Sequence, residues 1–139
     1  MQTRPARPSD VPAVLAFWGT AAHDAHRPPD TAAALDALLA RDAGALLLVT
    51  EGEQVVGTVI AGWDGWRGHL YRLAVAPSHR GQGLGRALVA AAEERLRGFG
   101  VGRADAMVLV DNPTAHKLWT ACGYAPQAEW ARWVKPLTP

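Results

Sequence analysis

The sequence predicts a mixed α/β fold that forms one domain over residues 1–139. Three observations predict it. Apolar residues recur at helical spacing near the N-terminus, three short β-rich runs occupy the middle, and a glycine-rich loop leads into a long helix. With 49% apolar and 19% charged residues, the composition is that of a globular protein able to bury a core.

Two helices are predicted ahead of the β-rich runs. Ser9 or Asp10 can cap the first helix. Its apolar residues recur at helical spacing, at Val11, Val14, Leu15 and Trp18. The second repeats this pattern with Asp30 or Thr31 as its cap and with Leu35, Leu38 and Leu39 on one side. Pro28 and Pro29 separate the two helices, since neither can continue one.

Strands and turns are predicted next. Residues 45–50 and 55–61 form a hairpin around a Gly-containing turn, and residues 69–75 form a strand that Pro77 ends. Alternation along this last strand predicts that His69, Tyr71, Leu73 and Val75 share one face.

The rest of the chain alternates between helices and strands. A helix over residues 83–97 is followed by a strand over 104–110, a helix over 112–121 and a last strand over 130–134. This order predicts a mixed sheet flanked by about four helices.

Charge and cysteine content limit the function classes. Lys and Arg number 14 against 13 Asp and Glu, so no net field favours nucleic acid or an acidic membrane. The single cysteine, Cys122, rules out an internal disulfide and suits a reducing compartment. No apolar run suggests a signal peptide or a membrane span, so a cytoplasmic protein is expected.

The most informative segment is the glycine-rich loop between a predicted strand and a predicted helix. Glycines at alternate positions let successive backbone N–H groups converge beside the positive end of the helix, which favours a diphosphate. A simple turn explains one or two of these glycines, but not three between two arginines. The segment is Arg80, Gly81, Gln82, Gly83, Leu84, Gly85 and Arg86.

Two other phosphate-binding loops do not match. A P-loop requires Lys and then Ser or Thr after its last glycine, and here Arg86 and Ala87 follow Gly85. A dinucleotide-binding fingerprint requires its third glycine one position later, where Arg86 stands. Asp105 lies at the distance of a ribose-binding acid, which is weak evidence on its own.

The chain resembles the Gcn5-related N-acetyltransferase (GNAT) superfamily. One signature of the family, Arg or Gln, two residues, Gly, one residue, then Gly or Ala, matches Arg80, Gly83 and Gly85 after the run from Leu73 to Pro77. A second signature is matched by Asn112, Ala115, Trp119, Gly123 and Tyr124. The resemblance implies a splayed sheet of six to seven strands and acetyl-CoA as cosubstrate, with no metal.

The same resemblance implies how CoA would bind. The backbone of Leu73, Ala74 and Val75 would bond the pantetheine arm, and the amides from Arg80 to Arg86 would hold the pyrophosphate. Asn112 would contact the pantetheine arm, and the small side chain of Ala115 would leave room for this arm beside the helix. Asn112 before Pro113 is also simply a helix cap, and both roles can coexist.

Acyl transfer to an amine needs a base, a polarised carbonyl and a proton for the thiolate. His69, with Tyr71 beside it, is the first choice as base, directly or through water, although a merely structural His69 is an equal alternative. Asp64 and Glu51 are weaker alternatives. The resemblance implies a backbone N–H near Val75 for the carbonyl.

Trp119 stands where many relatives carry tyrosine, and indole has no accessible proton to give. Water, Tyr71 or His116 would then protonate the thiolate, while Trp119 shapes the thiol end of the cleft or is a core residue. Cys122 lacks a paired histidine and is expected to be structural.

The predicted acceptor site is lined by Trp18, His23, Trp63 and Trp66, at least one of which is expected to be core or a dimer contact. His23 and His26 are poor evidence for metal.

The sequence therefore predicts an acetyltransferase that uses direct attack on a small primary amine. Acetylation of a protein N-terminus or lysine, a non-catalytic acyl-CoA-binding module and a toxin acting on aminoacyl-tRNA are alternatives, and a homodimer stays open.

Overall fold

The computed structural model describes residues 2–21 and 28–138 of the chain. Its strands are β1 (Thr3–Pro5), β2 (Leu46–Glu51), β3 (Gln54–Trp63), β4 (Gly68–Val75) and β5 (Ala104–Ala106). Its α-helices are α1 (Val11–Ala21), α2 (Ala32–Arg41), α3 (Leu84–Gly98) and α4 (Pro113–Ala121), and short 3₁₀ turns cover Pro8–Asp10 and Pro77–His79.

The strands form one mixed sheet in the order β1-β2-β3-β4-β5. The first four are antiparallel to their neighbours, whereas β5 runs parallel to β4 because α3 returns the chain across the sheet. The predicted α/β class is confirmed. No helix in the described part of the chain is long and apolar enough to cross a membrane.

Two apolar clusters lie on opposite faces of the sheet. Alternation along β2 sends Leu46 and Leu48 into a cluster with α1 and α2, and Leu47 and Val49 into a cluster with α3. Strands buried on both faces read as continuous apolar runs, as β2 and β3 do. The sheet is thus a middle layer, and its far end carries the site.

The sheet has five strands in the described residues, not the six to seven that were predicted. The strand predicted over 104–110 ends at Ala106, because only three residue pairs join β5 to β4. The strand predicted over 130–134 is absent: Trp130 and Trp133 are 74% and 93% exposed, and no neighbouring strand supplies hydrogen bonds.

The face predicted for β4 is also wrong in part. Leu73 and Val75 pack against the α3 cluster together with Leu70, whereas Tyr71 lies on the α1 side. The reason is a β-bulge: Arg72 has φ +51°, and the register with β3 shifts at this point. One extra residue reverses the alternation, so a strictly period-two pattern does not hold across it.

Candidate active site

A cleft opens where β4 and β5 separate. Their pairing covers Gly68 to Leu70 of β4 and stops, although β4 continues to Val75. On its other side β4 remains paired with β3 up to Val75. The edge of β4 beyond Leu70 therefore has no strand paired with it on this side.

The bulge that shapes this cleft is held by a buried hydrogen-bond chain. The indole Nε1 of Trp18 donates to Thr58 Oγ1 at 2.9 Å, and this hydroxyl donates to the carbonyl of Arg72 at 2.8 Å. Thr58 is fully buried, and it is the buried polar residue of the described core. A left-handed non-glycine residue is strained, and these bonds hold it in place.

The glycine loop adopts the conformation that its sequence predicted. Gly81 and Gly83 have φ values of +78° and +81°, and Gly83 is the N-cap of α3. The first N–H groups of α3 lack intrahelical acceptors by helix geometry, and no backbone bond donated by the described residues 81–83 is found. Several N–H donors therefore gather at one helix end.

The N-terminal side of the loop is held by contacts to β2, β3 and β4. Ala76 N donates to the carbonyl of Val56 at 2.8 Å, and His79 Nε2 lies 2.8 Å from Glu51 Oε2 on β2. The Arg80 side chain reaches back to the carbonyl of Val75, with Nε at 3.4 Å. The loop is therefore anchored before any ligand arrives.

The surface of this loop is open. A Cβ added at Gly81 or Gly83 would meet nothing within 4 Å, so the space above the loop is open, and a side chain there would enter it. Arg80 and Arg86 are exposed on either side and add positive charge. Gly85 has a different role, because its Cβ would lie 2.9 Å from Leu118 of α4. It lets α3 and α4 pack closely.

Asn112 caps α4 on the far side of the cleft. Its Oδ1 accepts from Ala115 N at 3.1 Å, so the capping role is observed directly. Ala115 packs against the α3 cluster. His116 Nε2 lies 2.8 Å from the carbonyl of Leu109, which ties α4 to the segment after β5.

His69 sits between two carboxylates near the start of β4. Its Nδ1 lies 2.7 Å from Asp105 Oδ1, and its Nε2 lies 3.6 Å from Asp64 Oδ2. Asp105 is the register partner of His69 on β5. Asp64 is held by the turn, since its Oδ1 accepts from the backbone N–H groups of Trp66 and Arg67. These two bonds lower the pKa of Asp64 below 3.8, so it is ionised at neutral pH.

Tyr71 links His69 to a cavity. The centroids of the His69 and Tyr71 rings lie 6.1 Å apart, and Tyr71 lines a cavity of about 300 Å³ beside the bulge. Burial, and then the charge of Asp105, raises the pKa of the Tyr71 phenol, while Arg132 opposes this. The phenol thus keeps its proton at neutral pH.

The cavity beside Tyr71 is mostly apolar. Its charged residues are Arg72 and Asp30, and Arg72 Nη2 binds Asp30 Oδ1 at 2.7 Å, so the two charges neutralise each other. The apolar lining comes from α1, α2, β3 and the segment before α2: Trp18, Pro28, Pro29, Ala34, Leu35, Leu38 and Ile60. This suits an acceptor with an apolar body.

The predicted aromatic residues do not all meet in this cavity. Trp18 lines it, although its indole is otherwise buried. Trp63 instead stacks on Phe99, with the ring centroids 4.1 Å apart. Trp66 lines a separate cavity of about 260 Å³ beside Asp105. His23 and His26 lie outside the described residues. No group of three metal-binding side chains is found among the described residues.

Trp119 and Cys122 are packing residues in this structure. Trp119 is 8% exposed and meets Tyr124 edge to face at 4.9 Å. Burial raises the pKa of the Cys122 thiol, which disfavours a thiolate nucleophile.

Sequence reasoning missed Thr58 and Arg72, considered Asp30 only as a helix cap, and gave Asp105 a different meaning. Nothing local marks the contacts of Thr58, Asp30 and Arg72, because each has its partner at least 14 residues away.

The mixed sheet splits beside the glycine-rich start of a helix, and a cavity lies alongside. This arrangement is typical of an enzyme that brings two substrates together. The chain belongs to the acetyltransferase (GNAT) family, whose model matches residues 13–124, and it is an acetyl-CoA-dependent acyltransferase. It is 30% identical over 128 residues to Acetyltransferase SG1711 of Sodalis glossinidius (strain morsitans), covering 91% of this chain and 89% of that one.

Two solved structures share the fold. The ribosomal-protein-alanine N-acetyltransferase of Brucella melitensis has a TM-score of 0.72 at 25% identity, over 88% of this chain and 83% of that one. The aminoglycoside antibiotic 6'-N-acetyltransferase AAC(6')-IG of Acinetobacter haemolyticus has a TM-score of 0.75 at 20% identity, over 99% and 100%. The acceptors that these names state differ, so the shared fold leaves the acceptor open.

Proposed function

We propose that the protein transfers the acetyl group of acetyl-CoA to the primary amine of a small molecule by direct attack in a ternary complex. The single observation that carries the proposal is the cleft: the edge of β4 is unpaired beyond Leu70, and it leads into a loop whose N–H groups converge. The predicted CoA contacts from Leu73 to Val75 and from Arg80 to Arg86 all lie along this path.

The residues of this chain would act chiefly by placing the reactants. Acetyl-CoA supplies an activated thioester when bound. A backbone N–H near Val75 would polarise its carbonyl, and Asn112, Ala115 and Trp119 would shape the opposite wall. Holding both substrates in register supplies much of the rate.

Proton transfer is assigned to the end of β4. His69 is the proposed base, because its imidazole lies beside Tyr71, which lines the cavity, and proton transfer directly or through water is proposed. Tyr71 keeps its proton and is the proposed group that returns one to the thiolate. Cys122 takes no part, which favours direct attack over a covalent enzyme intermediate.

The size and lining of the cavity favour a small acceptor with an apolar portion. About 300 Å³ is at the small end of ligand pockets, and the paired Arg72 and Asp30 leave no excess charge in it. Acetylation of a protein N-terminus or lysine is the alternative.

A bacterial cytoplasmic location is part of the proposal, since acetyl-CoA is made inside cells. A homodimer stays a prediction.

Thiol release tests the acceptor. The purified protein is given acetyl-CoA with a panel of apolar primary amines and, separately, with peptides that carry a free N-terminus or a lysine. Turnover on the small amines alone supports the proposal, and turnover on the peptides alone replaces it. If calorimetry detects no heat with CoA or its thioesters, the proposed CoA site is wrong as well.

His69→Ala tests the base. We expect the loss of turnover to be largest at the acidic end of the pH range, where free amine is scarcest, with CoA affinity unchanged. An unaltered pH–rate profile would remove His69 from this role.

A further inference from the structure

His69 is the only histidine in the described residues that two carboxylates approach, one at each ring nitrogen. The charged and titratable groups that face it are Asp105 from β5, Asp64 from the β3–β4 turn, and Tyr71 from β4 itself. Arg132 acts electrostatically on Tyr71. Neither carboxylate is among the residues that are proposed to bind CoA.

The two carboxylates are placed differently. Asp105 Oδ1 is at hydrogen-bond distance from Nδ1, 2.7 Å, whereas Asp64 Oδ2 is 3.6 Å from Nε2 and leaves room for a solvent molecule or a small shift. An ionised carboxylate only accepts hydrogen bonds, so the contact with Asp105 requires the proton on Nδ1. In the neutral ring, Nε2 is then the nitrogen with the free lone pair.

We infer that Asp105 is a positioning residue that fixes His69 in its Nδ1–H tautomer, and that Asp64 is the solvent-side carboxylate that stabilises the imidazolium formed when Nε2 takes up a proton. This inference rests on the proposed function, in which His69 is the base. The ammonium of the acceptor gives one proton to Nε2, which forms an N–H bond and leaves a neutral amine. The imidazolium then releases that proton to solvent, and the neutral ring is restored.

The backbone explains why the pair forms here. His69 and Asp105 are register partners on parallel strands, within the three residue pairs that join β4 and β5 before the cleft opens. The contact therefore lies at the closed end of the cleft. Asp64 keeps its place because its other oxygen accepts two backbone N–H bonds at 2.8 and 2.7 Å.

Asp105→Asn tests the positioning role. It retains the side-chain size, removes the charge and lets the side chain donate to Nδ1. Asp36→Asn on α2 is the matched control, since Asp36 is exposed and lines neither cavity. Nitrogen-15 NMR of the ring, measured on the free protein, reports the tautomer without any turnover.

We expect wild type and Asp36→Asn to show the proton on Nδ1, and Asp105→Asn to lose this preference. Turnover of Asp105→Asn should fall about tenfold or more at neutral pH, with CoA affinity unchanged. A wild-type ring that carries its proton on Nε2 would overturn the inference, and so would an Asp105→Asn tautomer equal to that of wild type.

Asp64→Asn tests the role of the second carboxylate. Asn retains Oδ1 for the two turn bonds and removes the charge that faces Nε2. We expect a tautomer like that of wild type and turnover reduced by about threefold or more; full turnover would exclude Asp64 as a group that stabilises the imidazolium. If His69→Ala leaves turnover intact while the wild-type tautomer is Nδ1–H, the base of the proposed function is wrong, although Asp105 still orients the ring.

Discussion

The indole Nε1 of Trp18 lies 2.9 Å from Oγ1 of Thr58, and this one buried contact joins α1 to the strand that supports the cleft. The hydroxyl also donates to the carbonyl of Arg72, the left-handed residue of the bulge. Helix position and cleft shape are thus coupled through a single oxygen atom.

Thr58→Val should therefore loosen the bulge. The replacement has a similar shape, but it leaves the Trp18 indole N–H and the Arg72 carbonyl without their partner. We expect the free energy of unfolding to fall by about 2 kcal/mol, since an unsatisfied buried polar group costs about 1–3 kcal/mol. CoA affinity should fall as well, because β4 beyond the bulge forms the cleft. Urea unfolding and calorimetry measure the two effects.

Thr58→Ser is the control for this change. It retains the hydroxyl and removes only a methyl group, so it should recover most of the CoA affinity. A Thr58→Val protein with wild-type affinity would show that the bulge does not depend on this bond.

Gly83→Val should abolish CoA binding while the protein still folds. The added side chain enters the open space above the loop, where the diphosphate is proposed to lie. Gly100→Val, just beyond the other end of α3, is the matched control, because Gly100 has φ +83° against +81° at Gly83 and equally open surroundings. Both variants should lose similar stability, since both force a side chain into the left-handed region.

Calorimetry with CoA separates the two effects. Equal affinities in the Gly83→Val and Gly100→Val proteins would mean that the glycine loop is structural only.

Cys122→Ala should leave turnover within about twofold of wild type. Burial raises the pKa of this thiol, so little thiolate exists at neutral pH to attack a thioester. The measurement is steady-state turnover with both substrates varied, in which intersecting lines indicate a ternary complex. Parallel lines in wild type, together with an inactive Cys122→Ala protein, would instead establish a covalent route.

Acid stability should depend on the ion pair between Arg4 and Asp10. The Arg4 guanidinium donates to both carboxylate oxygens, at 2.8 and 3.0 Å, and lowers the pKa of Asp10 from 3.8 to about 2. A lowered folded-state pKa gives stability that is complete above the unfolded value and is lost as the pH falls toward 2. Asp10→Asn should therefore remove about 1 kcal/mol at pH 7, allowing for solvent screening, and almost nothing near pH 2.

Urea unfolding at several pH values checks this dependence, with Asp36→Asn as the control for a lost surface charge. A difference between wild type and Asp10→Asn that does not change with pH would contradict it.

Much of the fold followed from local patterns. The predicted helical spacing around Val14 and Trp18 is confirmed, and the cap of the second helix, predicted at Asp30 or Thr31, lies at Thr31. The strand predicted over 104–110 was too long, because its apolar residues continue after its pairing with β4 has ended. The predicted strand over 130–134 has β-rich residues but no partner.

The candidate site was likewise predicted from the sequence only in part. The glycine loop was predicted because its conformation depends on residues that adopt positive φ, and these are visible in the sequence. Of the aromatic residues predicted to line an acceptor site, Trp18 lines the cavity beside Tyr71, whereas Trp63 stacks on Phe99. A large aromatic residue carries no local sign of which face it will cover.

The sequence by itself determined the family, the helix start that is suited to a diphosphate, and the presence of a histidine near the cleft. Only the tertiary structure decided that His69 meets Asp105, 36 residues away, and that Arg72 reverses the alternation of β4. The physical reason is range: backbone preferences act over a few neighbouring residues, whereas strand register and buried hydrogen bonds join segments that are distant in the chain.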